Sequence, residues 1–325
     1  MVGTVLSSCL SNTGTAACLL PVALGICAAA KIPASRQLMP LAFACGWGGI
    51  ITMVGTPPNI IAVGAMTSAG LEPFGFFEFA WIGIPVSIAG MLYMMFVGKY
   101  LLPKVDLSAD QEIEQEIEAT VTDSKKQIVS GLILAVCIIV MALDLKAISL
   151  EMTAIVGALV CVLTGCLTEK QAYSAIDWVT IFLFAGMMPV SAAMDKTGAG
   201  KLIAEWAVSL MGGSPTPIIM TSVLFIISCT LTQFMSNTAA CALLAPVGVA
   251  ISQQLGASPK AVLMAIGVAA SCAFATPVGT PPCTLVLGPG GYKFMDYVKV
   301  GVPLVVLCFI VSIIVIPMVW PFFPG

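Results

Sequence analysis

The sequence predicts an all-α integral membrane protein made of two inverted repeats, each with a re-entrant helical hairpin and a broken transmembrane helix. The chain has 325 residues, of which 59% are hydrophobic and 9% are charged, whereas a soluble domain carries about 25% charged residues. Its apolar runs are ~17–25 residues long, which suits spanning helices and not the alternating strands of a barrel. Two polar motifs also occur twice, in the same order and at nearly the same spacing, which indicates an internal duplication.

The first duplicated motif is Ser11-Asn12-Thr13, which returns in the second half of the chain as Ser236-Asn237-Thr238. The stretches 11–25 and 236–250 share seven of fifteen residues. We expect each Ser-Asn-Thr to form the tip of a hairpin. A lone Ser-Asn-Thr is most often a helix cap, but two copies with a second paired motif favour a functional role.

The second duplicated motif is Val-Gly-Thr-Pro-Pro, at 54–58 and again at 278–282. Proline lacks an N–H and clashes with the preceding helical turn, and glycine loosens the backbone. Each copy therefore predicts two half-helices joined by an unwound segment. A single copy would predict only a kink.

The predicted elements fall into two repeats and a linker. The first repeat covers 1–104, with a hairpin (1–30), a broken helix (38–70) and a span (80–102). A cytoplasmic acidic linker follows at 105–127. The second repeat covers 128–325, with spans (128–143, 149–167, 178–194), an interfacial helix (198–210), a hairpin (217–254), a broken helix (260–290) and a last span (300–322).

The repeats differ in length, because the second repeat has a long stretch of predicted spans before its Ser-Asn-Thr and the first has almost none. The duplication thus predicts an N-terminal truncation of roughly 95–100 residues. Cytoplasmic placement of the linker puts nine Lys and Arg residues inside and four outside, as the positive-inside rule favours. The first hairpin then enters from the cytoplasm and the second from outside, which is inverted-repeat topology.

The duplicated polar groups point to ion chemistry inside the membrane. Hydroxyls and amides in hydrocarbon are costly unless something binds them, and Na⁺ accepts hydroxyl, amide and unwound carbonyl oxygens. Helix N-termini at the tips and breaks favour an anion. Nearly all carboxylates lie in loops or at helix ends, which argues against a proton relay. The twelve Cys and the absence of His suit apolar packing rather than a metal cluster.

On these motifs the chain resembles the divalent anion:sodium symporter family, part of the ion transporter superfamily. The resemblance extends over essentially the whole chain, through Gly55-Thr56-Pro57-Pro58-Asn59 and Gly279-Thr280-Pro281-Pro282 as well as both Ser-Asn-Thr copies. It implies a non-enzymatic, elevator-type transporter in the inner (plasma) membrane, homodimeric in its full-length form. It would couple two or more Na⁺ ions to a small dianion, without an organic cofactor or nucleic acid.

The resemblance also implies residues for each ligand. The first Na⁺ site would use Ser7, Ser11, Asn12 and the backbone at Gly55. The second would use Thr232, Ser236, Asn237 and the backbone at Gly279. The anion would be bound by Asn12, Thr13, Asn237 and Thr238, with Thr56 and Thr280 nearby.

The chain departs from the family at Cys283, where the second motif usually ends in Asn, as the first does at Asn59. The sequence leaves the anion open among dicarboxylate, citrate and sulfate. Alternatives are an anion exchanger, an arsenite or Na⁺/H⁺ permease of the same superfamily, and a non-transporting fragment. A membrane-embedded enzyme is a further alternative, but no nucleophile–base pair or metal cluster supports it.

Overall fold

The computed structural model describes residues 1–103, 124–143, 150–176 and 216–323, with scattered positions between 178 and 209. The regular elements in these ranges are helices, as expected for an all-α membrane protein. The chain divides into two compact units, one formed by Met1–Leu107 with Phe182–Gly325 and the other by Ser108–Ile181. The predicted linker up to position 123 lies outside the described residues. The predicted span 178–194 and interfacial helix 198–210 fall where only scattered positions are described.

The first half of the larger unit contains five helices among its described residues. They are α1 (Val2–Cys9), α2 (Asn12–Ala30), α3 (Leu38–Gly48, extended by a 3₁₀ turn at Gly49–Ile51), α4 (Pro57–Ser68) and α5 (Ala80–Leu101). Helices α1 and α2 are the arms of the first hairpin, and α3 and α4 flank the first break. Pro57 begins α4, where its missing N–H is harmless because first-turn N–H groups have no intrahelical partner.

The second half of the chain has the same order of elements, with two hairpin arms, two helices that flank a break and a long helix. After α6 (Ser124–Ala142), α7 (Leu150–Leu163) and α8 (Glu169–Ala175), the chain forms the hairpin arms α9 (Pro217–Thr232) and α10 (Asn237–Leu255). Helices α11 (Pro259–Ser271) and α12 (Pro281–Leu287) flank the second break, and α13 (Phe294–Val319) follows. Thr216 and Ser236 cap α9 and α10, and Gly256 ends α10 in the left-handed conformation that glycine adopts readily.

The smaller unit has helices α6 and α7 packed against each other. Thr168 and Gln171 form a capping box that starts the short helix α8.

Each broken helix of the larger unit packs against the hairpin of the other half. Helix α4 packs on α10 and α11, and α12 packs on α2 and α3. The Cys241 thiol lies 3.5 Å from the Pro58 carbonyl oxygen, at the contact between α10 and α4. Each break is thus surrounded by elements from both halves.

An aromatic cluster fills the space between the two breaks. Phe274, in the second unwound segment, lies edge-on to Phe43 and Trp47, with ring centroids 5.3 and 6.2 Å apart. Tyr297 of α13 contacts Phe43, and its hydroxyl donates to the Cys283 carbonyl at 2.7 Å. All four rings are at most 1% exposed. Their burial fixes the position of the unwound backbone that the site uses.

Four of the described helices are long and apolar enough to cross a membrane: Asn12–Ala30, Ala80–Leu101, Asn237–Leu255 and Phe294–Val319. Their lengths, 19 to 26 residues, match a bilayer core of about 30 Å. Exposed side chains along α5 and α13 are mostly large and apolar, including Trp81, Ile88, Val306 and Ile314. Such faces suit lipid rather than water.

The contact between α13 and the second break leaves no room for a side chain at Gly301. A Cβ there would collide with the Phe274 carbonyl group. We expect Gly301→Ala to lower the free energy of unfolding by about 2 kcal/mol, in the usual range for overpacking. Thermal unfolding in detergent measures this. Gly25→Ala is the control, because a Cβ at Gly25 meets nothing within 4 Å and alanine favours the helix. Equal melting temperatures for both variants would contradict the packing described.

Candidate functional site

Each hairpin turns at a serine that caps the following helix. Ser11 Oγ accepts a hydrogen bond from the Gly14 N–H at 3.1 Å, and Ser236 Oγ accepts one from the Ala239 N–H at 3.2 Å. Both serines are exposed. These caps begin α2 and α10 at Asn12 and Asn237, whose side chains then point into the protein.

The first cluster of polar atoms forms around Asn12, which is 6% exposed. One terminus of its amide lies 2.8 Å from Ser7 Oγ, 2.9 Å from the Cys45 carbonyl oxygen and 3.1 Å from the Gly55 carbonyl oxygen. The Ser7 hydroxyl donates to the Cys45 carbonyl at 2.7 Å. The cluster therefore joins both hairpin arms to both sides of the first break.

The second cluster forms around Asn237 with the same geometry. One amide terminus lies 2.8 Å from Thr232 Oγ1, 3.2 Å from the Ala270 carbonyl oxygen and 3.0 Å from the Gly279 carbonyl oxygen. The Thr232 hydroxyl donates to the Ala270 carbonyl at 2.7 Å. Each group stands at the position that the duplication makes equivalent to its counterpart in the first cluster.

The side-chain amides of Asn12 and Asn237 can each face their cluster with the nitrogen or with the oxygen. This orientation decides whether the cluster is a hydrogen-bond network or a set of oxygen ligands. With the nitrogen inward, the two N–H groups of Asn12 or Asn237 face a hydroxyl and two carbonyl oxygens. Because the hydroxyl of Ser7 or Thr232 donates to one of these carbonyls, every polar group in the cluster is paired. With the oxygen inward, a hydroxyl, an amide oxygen and two carbonyl oxygens converge. Turning one side-chain amide thus converts a closed hydrogen-bond network into a set of four oxygen ligands.

A second pair of equivalent hydrogen bonds ties each unwound segment to its hairpin. The Thr52 hydroxyl donates to the Ser8 carbonyl, and the Thr276 hydroxyl donates to the Gln233 carbonyl at 2.7 Å. Glycine is needed at the closest approach, since a Cβ at Gly279 would lie 2.7 Å from the Thr232 carbonyl oxygen. The break and the hairpin tip are packed as one body in each half.

The four threonines of the motifs differ in exposure. Thr13 is exposed and Thr238 is 8% exposed. Thr56 and Thr280 are 1% and 3% exposed and precede the prolines that begin α4 and α12, and neither side chain caps its helix. The Thr56 hydroxyl is buried without a hydrogen-bond partner, which is rare for a buried polar atom.

The structure brings together six of the residues that the sequence singled out, three in each cluster. They are Ser7, Asn12 and Gly55 in the first cluster, and Thr232, Asn237 and Gly279 in the second. The hydroxyls of Ser11 and Ser236 act as caps instead, and they lie outside the two clusters. Sequence reasoning missed the carbonyls of Cys45 and Ala270, because a backbone group leaves no mark on residue type. Their separation along the chain, equal to that of the Ser-Asn-Thr copies, was the only trace of their role.

The buried polar groups in the described part of the chain are neutral. Side chains classed as buried and polar there are Ser, Thr, Asn and Gln, with no Asp or Glu. The described residues also contain no group of three His, Cys, Asp or Glu that could hold a metal ion. The groups of the two clusters are hydroxyl, amide and carbonyl oxygens, which are ligands that hard cations accept.

Comparisons with known proteins identify relatives along the whole chain. A family model described as "Citrate transporter" matches residues 1–147 and 136–323. An uncharacterized transporter of Haemophilus influenzae is 32% identical over 96% of this chain and 69% of its own length. The uncharacterized transporter YfbS of Escherichia coli is 41% identical over 52% of this chain, but the match spans only 28% of that protein.

A more distant relative carries a named activity. The sodium-dependent dicarboxylate transporter SdcS of Staphylococcus saprophyticus is 25% identical over 96% of this chain and 66% of its own length. Among solved structures, the YdaH transporter of Alcanivorax borkumensis superposes with a TM-score of 0.62 at 17% identity, covering 94% of this chain and 74% of that one. This likeness concerns the fold.

The hydroxyls of the two clusters can be tested by substitution. Thr232→Val removes the donor to the Ala270 carbonyl and one partner of Asn237, and a buried group left unpaired costs about 1–3 kcal/mol. We expect a matching drop in the free energy of unfolding, and a similar drop for Ser7→Ala. Thermal unfolding checks both. Thr230→Val, at an exposed position of the same helix, is the control and should change little. A drop confined to one half would contradict the equivalence of the clusters.

Proposed function

The chain belongs to the citrate transporter family, and on that premise we propose that it is a secondary active transporter in which inward Na⁺ flow drives uptake of a small dianion. The observation that carries this proposal is the occurrence of one cluster twice, with matching groups and closely similar distances. Two equivalent sites for a coupling ion give the simplest reason for such a repeat.

Each cluster would bind one Na⁺ through four neutral oxygens. The ligands are the hydroxyl of Ser7 or Thr232, the turned amide oxygen of Asn12 or Asn237, and the two carbonyls beside each break. The present separations are hydrogen-bond lengths, so a cation between these oxygens has to spread them. Ion binding would then exchange the hydrogen bonds between hairpin and broken helix for ligand bonds to the ion.

The anion would bind next to the Na⁺ sites, at the N-termini of α2 and α10. The free N–H groups and dipole ends of these helices favour negative charge. Asn12, Thr13, Asn237 and Thr238 begin them, and the unpaired Thr56 hydroxyl is a further donor. An anion beside two cations offsets the desolvation of all three charges, which is a physical reason for coupled binding.

The names of the relatives favour a carboxylate as the substrate. The matching family is described as citrate transporters, and SdcS is named a dicarboxylate transporter. We therefore propose a C4-dicarboxylate or citrate, with sulfate as the competing dianion in a test.

Na⁺ coupling is favoured over proton coupling by the residues available. A proton relay needs titratable side chains inside the membrane, and the described buried side chains include no Asp or Glu. The two hairpins and two breaks, packed reciprocally, would move as one body in an elevator cycle between inverted repeats. We further propose a homodimer in the inner (plasma) membrane as the working form.

Uptake into proteoliposomes tests the proposal. Vesicles containing the purified chain and no internal Na⁺ receive radiolabelled succinate or citrate with NaCl or choline chloride outside. We expect accumulation only with NaCl, and a sigmoidal dependence on Na⁺ concentration because more than one ion is bound.

Two variants and one control sharpen this experiment. Ser7→Ala and Thr232→Val should each raise the Na⁺ concentration for half-maximal uptake by about tenfold, which corresponds to one lost ligand of about 1.4 kcal/mol. Thr230→Val should behave as the wild type. Equal uptake in choline, or uptake driven by a pH gradient, would show that the coupling ion is not Na⁺.

A further inference from the structure

The two breaks differ at one position of their motifs. Asn59 ends the first motif, and Cys283 stands at the equivalent position at the end of the second. Both side chains are fully buried. A thiol is a weak donor. Cys283 is therefore a poor substitute for a carboxamide that donates to backbone carbonyls at the end of a helix.

Asn59 shows what the amide does in the first half. Its nitrogen donates to the Thr52 carbonyl at 2.8 Å and lies 3.3 and 3.4 Å from the carbonyls of Gly49 and Ile50. These carbonyls lie where the helix ends and its regular backbone pairing stops, and the Thr52 carbonyl also accepts from the Gly55 N–H at 3.4 Å. Asn59 therefore holds the unwound segment in shape from within the broken helix itself.

In the second half a different side-chain amide, that of Gln233, contacts the unwound segment, at other backbone groups than those that Asn59 uses in the first half. Its side-chain nitrogen donates to the carbonyls of Cys229 and Cys272, each at 3.0 Å. Its side-chain oxygen accepts from the Ala275 N–H at 3.0 Å. Gln233 is 8% exposed and directly follows Thr232, so its amide spans from the hairpin to the unwound segment 272–280.

The residue equivalent to Gln233 in the first half has no such contact. That residue is Ser8, which directly follows Ser7 as Gln233 follows Thr232. Its hydroxyl donates to the Val5 carbonyl of its own helix at 2.7 Å. Besides the amide of Asn12 or Asn237, a second carboxamide thus contacts each break, from the broken helix in the first half and from the hairpin in the second.

We propose that Gln233 is the positioning residue of the second ion site, replacing by its amide the one that Asn59 supplies at the first break. The proposal depends on the Na⁺ sites proposed above. By fixing the backbone from Cys272 to Ala275, Gln233 sets where the Ala270 and Gly279 carbonyls point. We assign it no ligand role, because its nitrogen donates to two backbone carbonyls and its oxygen accepts from the Ala275 N–H.

The different positions of Asn59, on the broken helix, and Gln233, on the hairpin, also make the two sites mechanically different. In both halves two hydroxyls tie the hairpin to the break. The amides of Asn12 and Asn237 also cross this contact, one in each half. Among the described residues, the second half adds two hydrogen bonds of the Gln233 amide, one to the Cys272 carbonyl and one from the Ala275 N–H. More hydrogen bonds must therefore break at the second site than at the first when the hairpin and the broken helix separate.

The test measures Na⁺ affinity in Gln233→Met, which keeps the length of the side chain and removes its amide. Thermal unfolding of the full chain in detergent is followed against NaCl, with choline chloride holding ionic strength constant, since a ligand of the folded state raises stability by mass action. The same titrations in an Asn12→Ala background, which removes the side-chain amide of the first site, isolate the second site. Gln253→Met, at an exposed glutamine, is the matched control.

We expect Gln233→Met to raise the half-saturating Na⁺ concentration about tenfold, and Gln253→Met to leave it unchanged. The double variant Gln233→Met with Cys283→Asn should return it to within about threefold of the wild type, because an amide is restored on the broken helix. This rescue distinguishes positioning from general loss of stability.

Other outcomes overturn the proposal. A lower melting temperature with an unchanged half-saturating Na⁺ concentration would make Gln233 structural only. If Gln233→Met fails to fold, a folded and Na⁺-responsive double variant supports the proposal, and a double variant that also fails contradicts it. A wild type that responds to NaCl no more than to choline chloride would refute the Na⁺ sites themselves, a result separate from any effect of Gln233.

Discussion

The contact between a side-chain amide and the carbonyls of a broken helix is the interaction on which the rest of this structure depends. A helix that stops inside a membrane leaves N–H and C=O groups without partners, and each is costly in a medium that contains no water. Asn12 and Asn237 pair with these carbonyls from the adjacent hairpin tips. Because an amide carries a donor and an acceptor on opposite ends, the same residue can close the cluster by hydrogen bonds or open it as an ion ligand.

The surrounding structure gives that contact its rigidity. Broken helices pack on the hairpins of the opposite half, and buried rings at Phe43, Trp47 and Phe274 hold the second break in place. Thr52 and Thr276 add one cross-contact each. The two clusters are therefore connected through packed elements of both halves, as the proposed coupling between two ions and an anion would require. Asn59 in the first half and Gln233 in the second each place a further side-chain amide against the unwound backbone, from different elements.

The sequence predicted an all-α membrane protein, because a high apolar content and apolar runs long enough to span a bilayer reflect the lipid that surrounds the helices. Duplication located Asn12 and Asn237, and the family resemblance pointed to Ser7 and Thr232. The structure pairs Ser7 with Asn12 and Thr232 with Asn237, and their role as ligands stays a prediction. The sequence could not reveal the carbonyls of Cys45 and Ala270, since any residue type offers a carbonyl. It placed Ser11 and Ser236 among the ligands, where the structure uses their hydroxyls as caps. The compensation at Gln233 was hidden as well, because it joins residues from different helices.

Equilibrium binding of radioactive ²²Na⁺ to the purified chain, with the dianion present at saturating concentration, counts the ion sites directly. We expect two saturable ions per chain that NaCl displaces and choline chloride does not, falling to one in Asn12→Ala and to one in Asn237→Ala. Absence of saturable binding, or a single ion that is lost in both variants together, would contradict the existence of two equivalent sites.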